Sequence, residues 1–195
     1  MNVTDLTGAA TGGATIFGFN NTPQTAINHN TAGQPTAISG RLLIKPVDIV
    51  AGTYQIGAGK AGGNAANFTF TDVASPYSTN STVFIVGRYT FSDVVGDNDV
   101  FDMWINPSPA TFADDTLTPT PDLTTSTLAT PGADGGQIAT IILRQFTAVV
   151  PAGLQFDEIR VDTTWAHATS NLVPEPASIG MLAVAAASLI RRRKR

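Results

Sequence analysis

Short runs of β-branched and aromatic residues recur along the first 163 residues, separated by glycine, proline, asparagine, aspartate and threonine. Such punctuation is typical of strands joined by turns. The predicted strands span residues 14–19, 41–50, 67–71, 82–90, 100–105, 137–144 and 154–163. No helical periodicity appears before residue 177, so the pattern predicts an all-β body, an antiparallel β-sandwich, and not βαβ units.

Local patterns refine this prediction. Residues 83–86 are apolar on both faces, which indicates a strand in the interior of the sandwich. From Ile159 onward the last run alternates as a half-exposed strand does. Proline cannot donate into a sheet ladder, so the proline-rich residues 106–131 predict a long surface loop. Residues 20–40 are expected to be irregular.

The C-terminus has a different character. Residues 177–190 carry no charge and precede a basic tail of Arg191, Arg192, Arg193, Lys194 and Arg195. As a helix they would span roughly 21 Å, against a hydrocarbon core of roughly 30 Å. Snorkelling arginines and a thinned bilayer make a transmembrane helix feasible, and the tail would then be cytoplasmic with the body outside the inner membrane. A buried core helix with a solvated basic end is the alternative, although only two serines give it a polar face.

Charge is segregated along the chain. The 195 residues suit a single core and carry a net charge of −4, with 11 basic and 15 acidic residues. Without the five basic residues of the tail, 6 oppose 15 and the body carries −9. An acidic body argues against binding nucleic acid. The absence of cysteine excludes a disulfide scaffold and a thiolate metal site.

The tail follows a short motif, Val173, Pro174, Glu175 and Pro176. Motif, apolar stretch and arginine-rich end together resemble the PEP-CTERM protein-sorting signal of bacteria. The resemblance implies that an exosortase, a membrane protease, recognises the Pro-Glu-Pro motif, cleaves nearby and releases or anchors the body at the cell surface. Proteins of this kind tend to accompany exopolysaccharide production. We therefore expect a linker with the motif at residues 169–176, a transmembrane helix at 177–190 and a cytoplasmic tail at 191–195.

A sorted protein must first be translocated. Residues 1–19 show no basic segment followed by an apolar one, so they do not form a signal peptide. We expect the start to be misassigned, or the chain to be a fragment without its leader.

A second resemblance concerns the body. Residues 83–91, 96–109 and 154–168 resemble, in that order, the second half of a LamG-type, concanavalin A-like jelly roll. The strand end Trp104-Ile105-Asn106-Pro107 and a closing strand at residues 156–160 carry the resemblance, which covers about residues 38–168. It implies a jelly-roll body over residues 1–168, of a kind found in surface proteins of environmental bacteria.

Glycoside hydrolases share that fold, and they need two carboxyl groups about 5–10 Å apart across a cleft. The chain has two glutamates, Glu158 and Glu175, and the Glu-x-Asp-x-x-Glu motif of the laminarinase-like branch is absent. Glu158 and Arg160 are therefore interpreted as surface or structural partners. No catalytic residue is predicted, and we expect a protein that is not an enzyme.

Other candidate sites have ordinary alternatives. Asp97, Asn98, Asp99 and Asp102 offer oxygen ligands for calcium, but the same residues are typical of a hairpin turn. Residues 57–62 match G-x-G-x-x-G without the helix that a dinucleotide site requires, which predicts a glycine-rich loop. His29 and His167 are isolated, so a zinc site is not expected.

Trp104 and Trp165 are candidates for stacking on sugar rings if exposed, and otherwise fill the core. The sequence thus predicts an exported, non-catalytic module associated with glycans or the extracellular matrix, with the exosortase, the membrane and a polysaccharide as partners. A structural surface protein without ligand is the alternative, and a glycoside hydrolase a less favoured one.

Overall fold

Short antiparallel strands make up most of the regular structure. A computed structural model describes residues 1–20, 38–60, 65–92, 98–128, 137–144 and 149–170. Its strands are β1 (Asn2–Asp5), β2 (Ala14–Asn20), β3 (Ile38–Asp48), β4 (Thr53–Gly59), β5 (Phe68–Phe70), β6 (Tyr77–Ser78), β7 (Ile85–Thr90), β8 (Val100–Ile105), β9 (Leu123–Thr124), β10 (Thr140–Leu143) and β11 (Gly153–Gln155). One short helix, α1 (Trp165–Thr169), and four single 3-10 turns complete the described elements. The predicted antiparallel, mostly β body is confirmed.

The strands form three sheets. The largest has the order β10-β2-β3-β4-β5, and β6 also pairs with β4. A second sheet has the order β7-β8-β9, and β1 pairs with β11. Every pairing is antiparallel. The chain divides into two compact units, Met1–Pro107 with Pro119–Ile159, and Ser108–Thr118 with Arg160–Arg195. All eleven strands of the described residues belong to the first unit.

Alternation along the strands builds the core of the first unit. On β3 the side chains of Leu42 and Ile44 join one buried cluster, and on β4 those of Tyr54, Ile56 and Ala58 do the same. The three-stranded sheet contributes to that cluster as well. Its members there are Phe101, Met103, Ile105 and Leu123. Since successive side chains of a strand point to opposite faces, the intervening residues of β3 and β4 lie on the face away from this cluster.

All seven predicted strands overlap observed ones, namely β2, β3, β5, β7, β8, β10 and, over residues 154–155 alone, β11. The strand predicted at residues 154–163 is wrong beyond Gln155. Glu158 adopts a left-handed φ of 52°, which interrupts an extended chain. Ile159 and Val161 are then exposed instead of packed. The closing strand at 156–160, on which the second resemblance partly rested, is therefore not formed.

Two further expectations need correction. The run at residues 83–86 is not buried on both faces, because β7 lies at the edge of its sheet and Phe84 is exposed. Residues 57–59 of the expected glycine-rich loop are part of β4. The proline-rich stretch does form turns, with a single two-residue strand, β9, between residues 106 and 128. Of residues 20–40, expected to be irregular, Asn20 and 38–40 lie in strands, and 21–37 lie outside the described residues.

The glycines of β4 are required by the aromatic residues of β5. A Cβ atom on Gly57 would lie 2.5 Å from Cε1 of Phe70, and one on Gly59 would lie 2.6 Å from Cδ1 of Phe68. Both distances are shorter than van der Waals contact, so each ring occupies the space that a side chain would need. The glycine-rich sequence here marks a strand that is covered by rings from its neighbour.

Gly57→Ala should lower the free energy of unfolding by about 1–3 kcal/mol, because the added methyl group overpacks the space held by Phe70. Gly12→Ala is the matched control, since a Cβ atom there has no neighbour within 4 Å. It should change stability by no more than about 0.5 kcal/mol. Urea denaturation of both variants makes the comparison, and equal losses would contradict the packing described here.

Tyr54→Phe should leave the protein as stable or stabilise it by about 1 kcal/mol at neutral pH. The Tyr54 hydroxyl is buried and has no hydrogen-bond partner among the described residues, so its removal eliminates a desolvation cost. Burial, with a smaller contribution from Tyr77, raises the pKa of Tyr54 to about 12.

A raised pKa makes the folded state hold its proton more tightly than the unfolded state does. The wild-type protein should therefore lose stability as the pH rises from about 10 to about 12. Melting temperatures measured across that range should fall less steeply in Tyr54→Phe. A parallel fall in both proteins would show that another group is responsible.

Candidate functional site

The segment that leads to the C-terminal motif is folded. Thr164 caps α1, its hydroxyl accepting a hydrogen bond from the backbone N–H of His167 at 3.2 Å. A threonine at this position satisfies one of the free N–H groups of the first turn. The helix ends at Ser170, whose extended backbone breaks the helical path. Residue 170 is the last one described, and Val173 of the motif follows three positions later.

Specific hydrogen bonds attach α1 to residues 108–118 within the second unit. The indole Nε1 of Trp165 donates to the carbonyl of Thr111 at 2.7 Å. The backbone N–H of Ala166 donates to a carboxylate oxygen of Asp115 at 2.8 Å. Thr169 completes the contact, since its hydroxyl accepts from the N–H of Ala113 at 3.0 Å. These hydrogen bonds fix α1, which precedes the motif, to residues 108–118.

The loop that precedes α1 is ordered by Asp162. Its carboxylate accepts hydrogen bonds from the N–H groups of Thr163 and Thr164, and it lies 3.3 Å from Nδ1 of His167. These bonds, that to Thr163 first, lower the pKa of Asp162 despite an opposing desolvation effect. Arg160 donates to the carbonyl of Ser170.

The two tryptophans, predicted for sugar stacking, are both engaged by the protein. Trp104 is 1% exposed, its Nε1 donates to the carbonyl of Pro119 at 2.8 Å, and the Arg88 guanidinium lies 5.1 Å from its ring centroid. In this conformation the ring of Trp104 offers no face to a sugar. Trp165 is half-buried and bonded to Thr111, as described above.

The residues predicted for calcium are partly bonded to other groups. Asp99 accepts hydrogen bonds from the hydroxyl of Tyr89 and the N–H of Ser92, at 2.9 and 2.8 Å. Asp102 forms an ion pair of 2.7 Å with Arg88 on the neighbouring strand. Asp97 lies outside the described residues. Within the part of the chain that is described, no three His, Asp or Glu side chains are grouped to hold a metal.

A surface of the largest sheet was not singled out from the sequence. We define the basic–aromatic face as Arg41 and Lys45 of β3 with Phe68 and Phe70 of β5, on the side of the sheet away from the core. The Arg41 guanidinium carbon lies 5.9 Å from the ring centroid of Phe68, and Nζ of Lys45 lies 5.0 Å from that of Phe70. The rings reach the cations by crossing over Gly59 and Gly57.

This face has a sequence signal in retrospect. Arg41 and Lys45 are four residues apart on one strand, and Phe68 and Phe70 alternate on another, so each pair must share a face once the strands are known. The sequence pattern did not predict β4 as a strand. The rings of β5 can approach β3 only because the glycines of β4 leave room for them.

Thr169→Val should loosen the attachment of α1. Valine keeps the shape of threonine but removes the acceptor for the Ala113 N–H and the donor to the Trp165 carbonyl. Each of the two lost hydrogen bonds is worth about 1 kcal/mol, so the amides of residues 165–169 should exchange with solvent up to about thirtyfold faster.

Ser170→Ala is the control, because it removes an exposed hydroxyl that bonds only to the carbonyl of His167 within the same turn. Hydrogen exchange followed by mass spectrometry reports on both variants. If Ser170→Ala accelerated exchange as much as Thr169→Val, the buried threonine would have no special role.

The sorting motif residues 173–176, the apolar stretch 177–190 and the basic tail 191–195 lie outside the described residues. Within the described ranges no helix is long and apolar enough to cross a membrane. No curated protein and no solved structure matches the chain significantly. Residues 172–195, however, match the family model described as the PEP-CTERM protein-sorting motif. The chain therefore carries a PEP-CTERM sorting motif at residues 172–195, which follows α1 along the sequence.

Proposed function

We propose that this protein is an exported, non-catalytic surface module that associates with glycans or the extracellular matrix. The observation that carries the first part is the sorting motif at residues 172–195, which implies an exported protein that passes through the membrane and is processed by an exosortase. The remaining parts concern the body: a jelly-roll sandwich similar to LamG and concanavalin A-like domains, acting by binding.

Several features of the body support this proposal. Two antiparallel sheets contribute side chains to one apolar cluster, as the sheets of a sandwich do. Several of the described aspartates order turns. The carboxylates of Asp48, Asp72, Asp114 and Asp162 accept hydrogen bonds from backbone N–H groups one to three residues further along the chain. Glu158 occupies a left-handed bend with no second glutamate among the described residues. This use of carboxylates favours binding over hydrolysis.

A structural surface protein without a ligand is the second candidate. The burial of Trp104 favours it, since an aromatic platform for sugars would need an open ring. A glycoside hydrolase is the least favoured of the three.

Glu175→Ala should block sorting, because it removes the only charge of the Pro-Glu-Pro motif. In a bacterium that contains an exosortase, and with a secretory signal peptide supplied, wild-type protein should be shortened and appear at the cell surface. The variant should remain full-length in the membrane fraction. Glu158→Ala changes the only other glutamate and should be processed normally. Equal processing of Glu175→Ala and wild type would refute sorting through this motif.

Binding and hydrolysis are separated by incubating the full chain with insoluble and soluble polysaccharides, with and without calcium. A binding module sediments with the polysaccharide and releases no reducing sugar. Release of reducing sugar would establish an enzyme. If the folded protein were sorted yet bound no polysaccharide, the structural candidate would be correct. A requirement for calcium would show that metal contributes to binding.

A further inference from the structure

Arg41 of the basic–aromatic face is a buried cation with unused hydrogen-bonding capacity. The residue is 5% exposed, and its Nε donates to the carbonyl of Ile38 at 2.8 Å. No described carboxylate is paired with it, and the two terminal nitrogens of its guanidinium have no acceptor among the described residues. A buried charge is costly unless it is paired. The guanidinium is therefore oriented by one bond while its fork remains available for an oxyanion.

Arg144 reinforces the positive potential at Arg41. It follows β10, and β2 alone separates that strand from β3. Burial first, and the charge of Arg144 second, lower the pKa of Arg41 to about 10. Both causes act against the positive charge of Arg41. An anion bound to the terminal nitrogens would oppose both of them, because it compensates lost hydration and screens the repulsion between the two arginines.

The face extends beyond one cation. Lys45 lies four residues along β3 on the same side, about 13 Å away along the strand, and no described carboxylate is paired with it. The rings of Phe68 and Phe70 lie beside the two cations and are half-exposed. A small anion would contact Arg41 alone. A chain of sugars that carry negative groups fits both cations, because its ring C–H faces can pack on the phenylalanines.

We propose that the basic–aromatic face binds an anionic polysaccharide, with Arg41 holding a carboxylate or sulfate group and Lys45 a second one. This inference rests on the proposed glycan-associated function and gives it a ligand class and a place. Residues 1–190 carry a charge of −9, so binding of any polyanion by charge alone is disfavoured. The local cations and rings must then supply the affinity, and a nucleic acid would be repelled by the rest of the surface.

The test uses the full chain, immobilised, with four soluble probes: polygalacturonate, dextran sulfate, neutral dextran and single-stranded DNA. We expect binding to one or both of the anionic polysaccharides, weakened by added sodium chloride, and no binding to dextran or DNA. Preference for polygalacturonate identifies a carboxylate as the ligand group, and preference for dextran sulfate identifies a sulfate. Equal or stronger binding of DNA would overturn the inference.

Arg41→Gln should weaken binding of the preferred probe about tenfold, because it removes a charge-assisted fork. Lys45→Gln, at a half-exposed position that tolerates change, should weaken it about threefold. Arg88→Gln is the matched control: it removes the same charge from β7 of the other sheet, where Arg88 pairs with Asp102, and should leave affinity within about twofold. Melting curves establish whether each variant is folded. If Arg41→Gln does not fold, the affinity of Lys45→Gln tests the inference.

The outcomes separate this inference from the proposed function. Dextran that bound as tightly as the charged polymers would refute the binding role of the basic–aromatic face. The same would follow if Arg88→Gln lost as much affinity as Lys45→Gln. In both cases the proposed association with glycans would remain. If the folded wild-type protein bound no polysaccharide, both proposals would fail.

Discussion

The architecture depends on the strict alternation of side chains along β3 and β4. Both strands are flanked by neighbours in the largest sheet, so every second residue must enter the core and the others must face away from it. Leu42 and Ile44 meet Tyr54 and Ile56 on the core side. On the opposite side, Arg41 and Lys45 are placed by the same register. The packing of the core therefore also fixes the face on which Arg41 and Lys45 lie.

The glycines of β4 allow the rings of β5 to reach the cations on the face of the sheet away from the core. A strand of larger residues at Gly57 and Gly59 would hold the rings of β5 away from β3. With glycine there, Phe70 reaches as far as Lys45 and the backbone at Gly13. The strand loses side-chain packing of its own, and the rings that cross it replace the lost contacts. Two phenylalanines consequently serve both the stability of β4 and the surroundings of two cations.

The sequence predicts part of this arrangement and misses the rest for a physical reason. Strands rich in β-branched and aromatic residues, such as β2 and β8, are visible from composition, because several of their own side chains join the core. The strand β4 is not visible in this way, because four of its seven positions are glycine, threonine or glutamine, and its formation depends on the rings that cover it. The opposite error occurs after Gln155, where a pattern of alternating residues predicted a strand. The left-handed Glu158 and the turn built by Asp162 override that pattern.

The candidate sites divide in the same way. The sorting motif is local, a contiguous run whose order alone identifies it, and the family match covers the same residues. The predicted tryptophan platform depends on tertiary context, and there Trp104 is covered. The basic–aromatic face depends on three strands at once, so it cannot be predicted from any single stretch of the sequence.

Charge connects the body with its destination. The net negative charge disfavours binding of polyanions by charge alone, and several of the aspartates order turns through bonds to backbone N–H groups. A cation kept inside such a protein would ordinarily be paired with one of those carboxylates. Arg41 is instead bonded through Nε to a carbonyl and placed beside a ring. Because thirteen aspartates were available to neutralise it and no described one does, its charge is better explained by an external anion than by the stability of the fold.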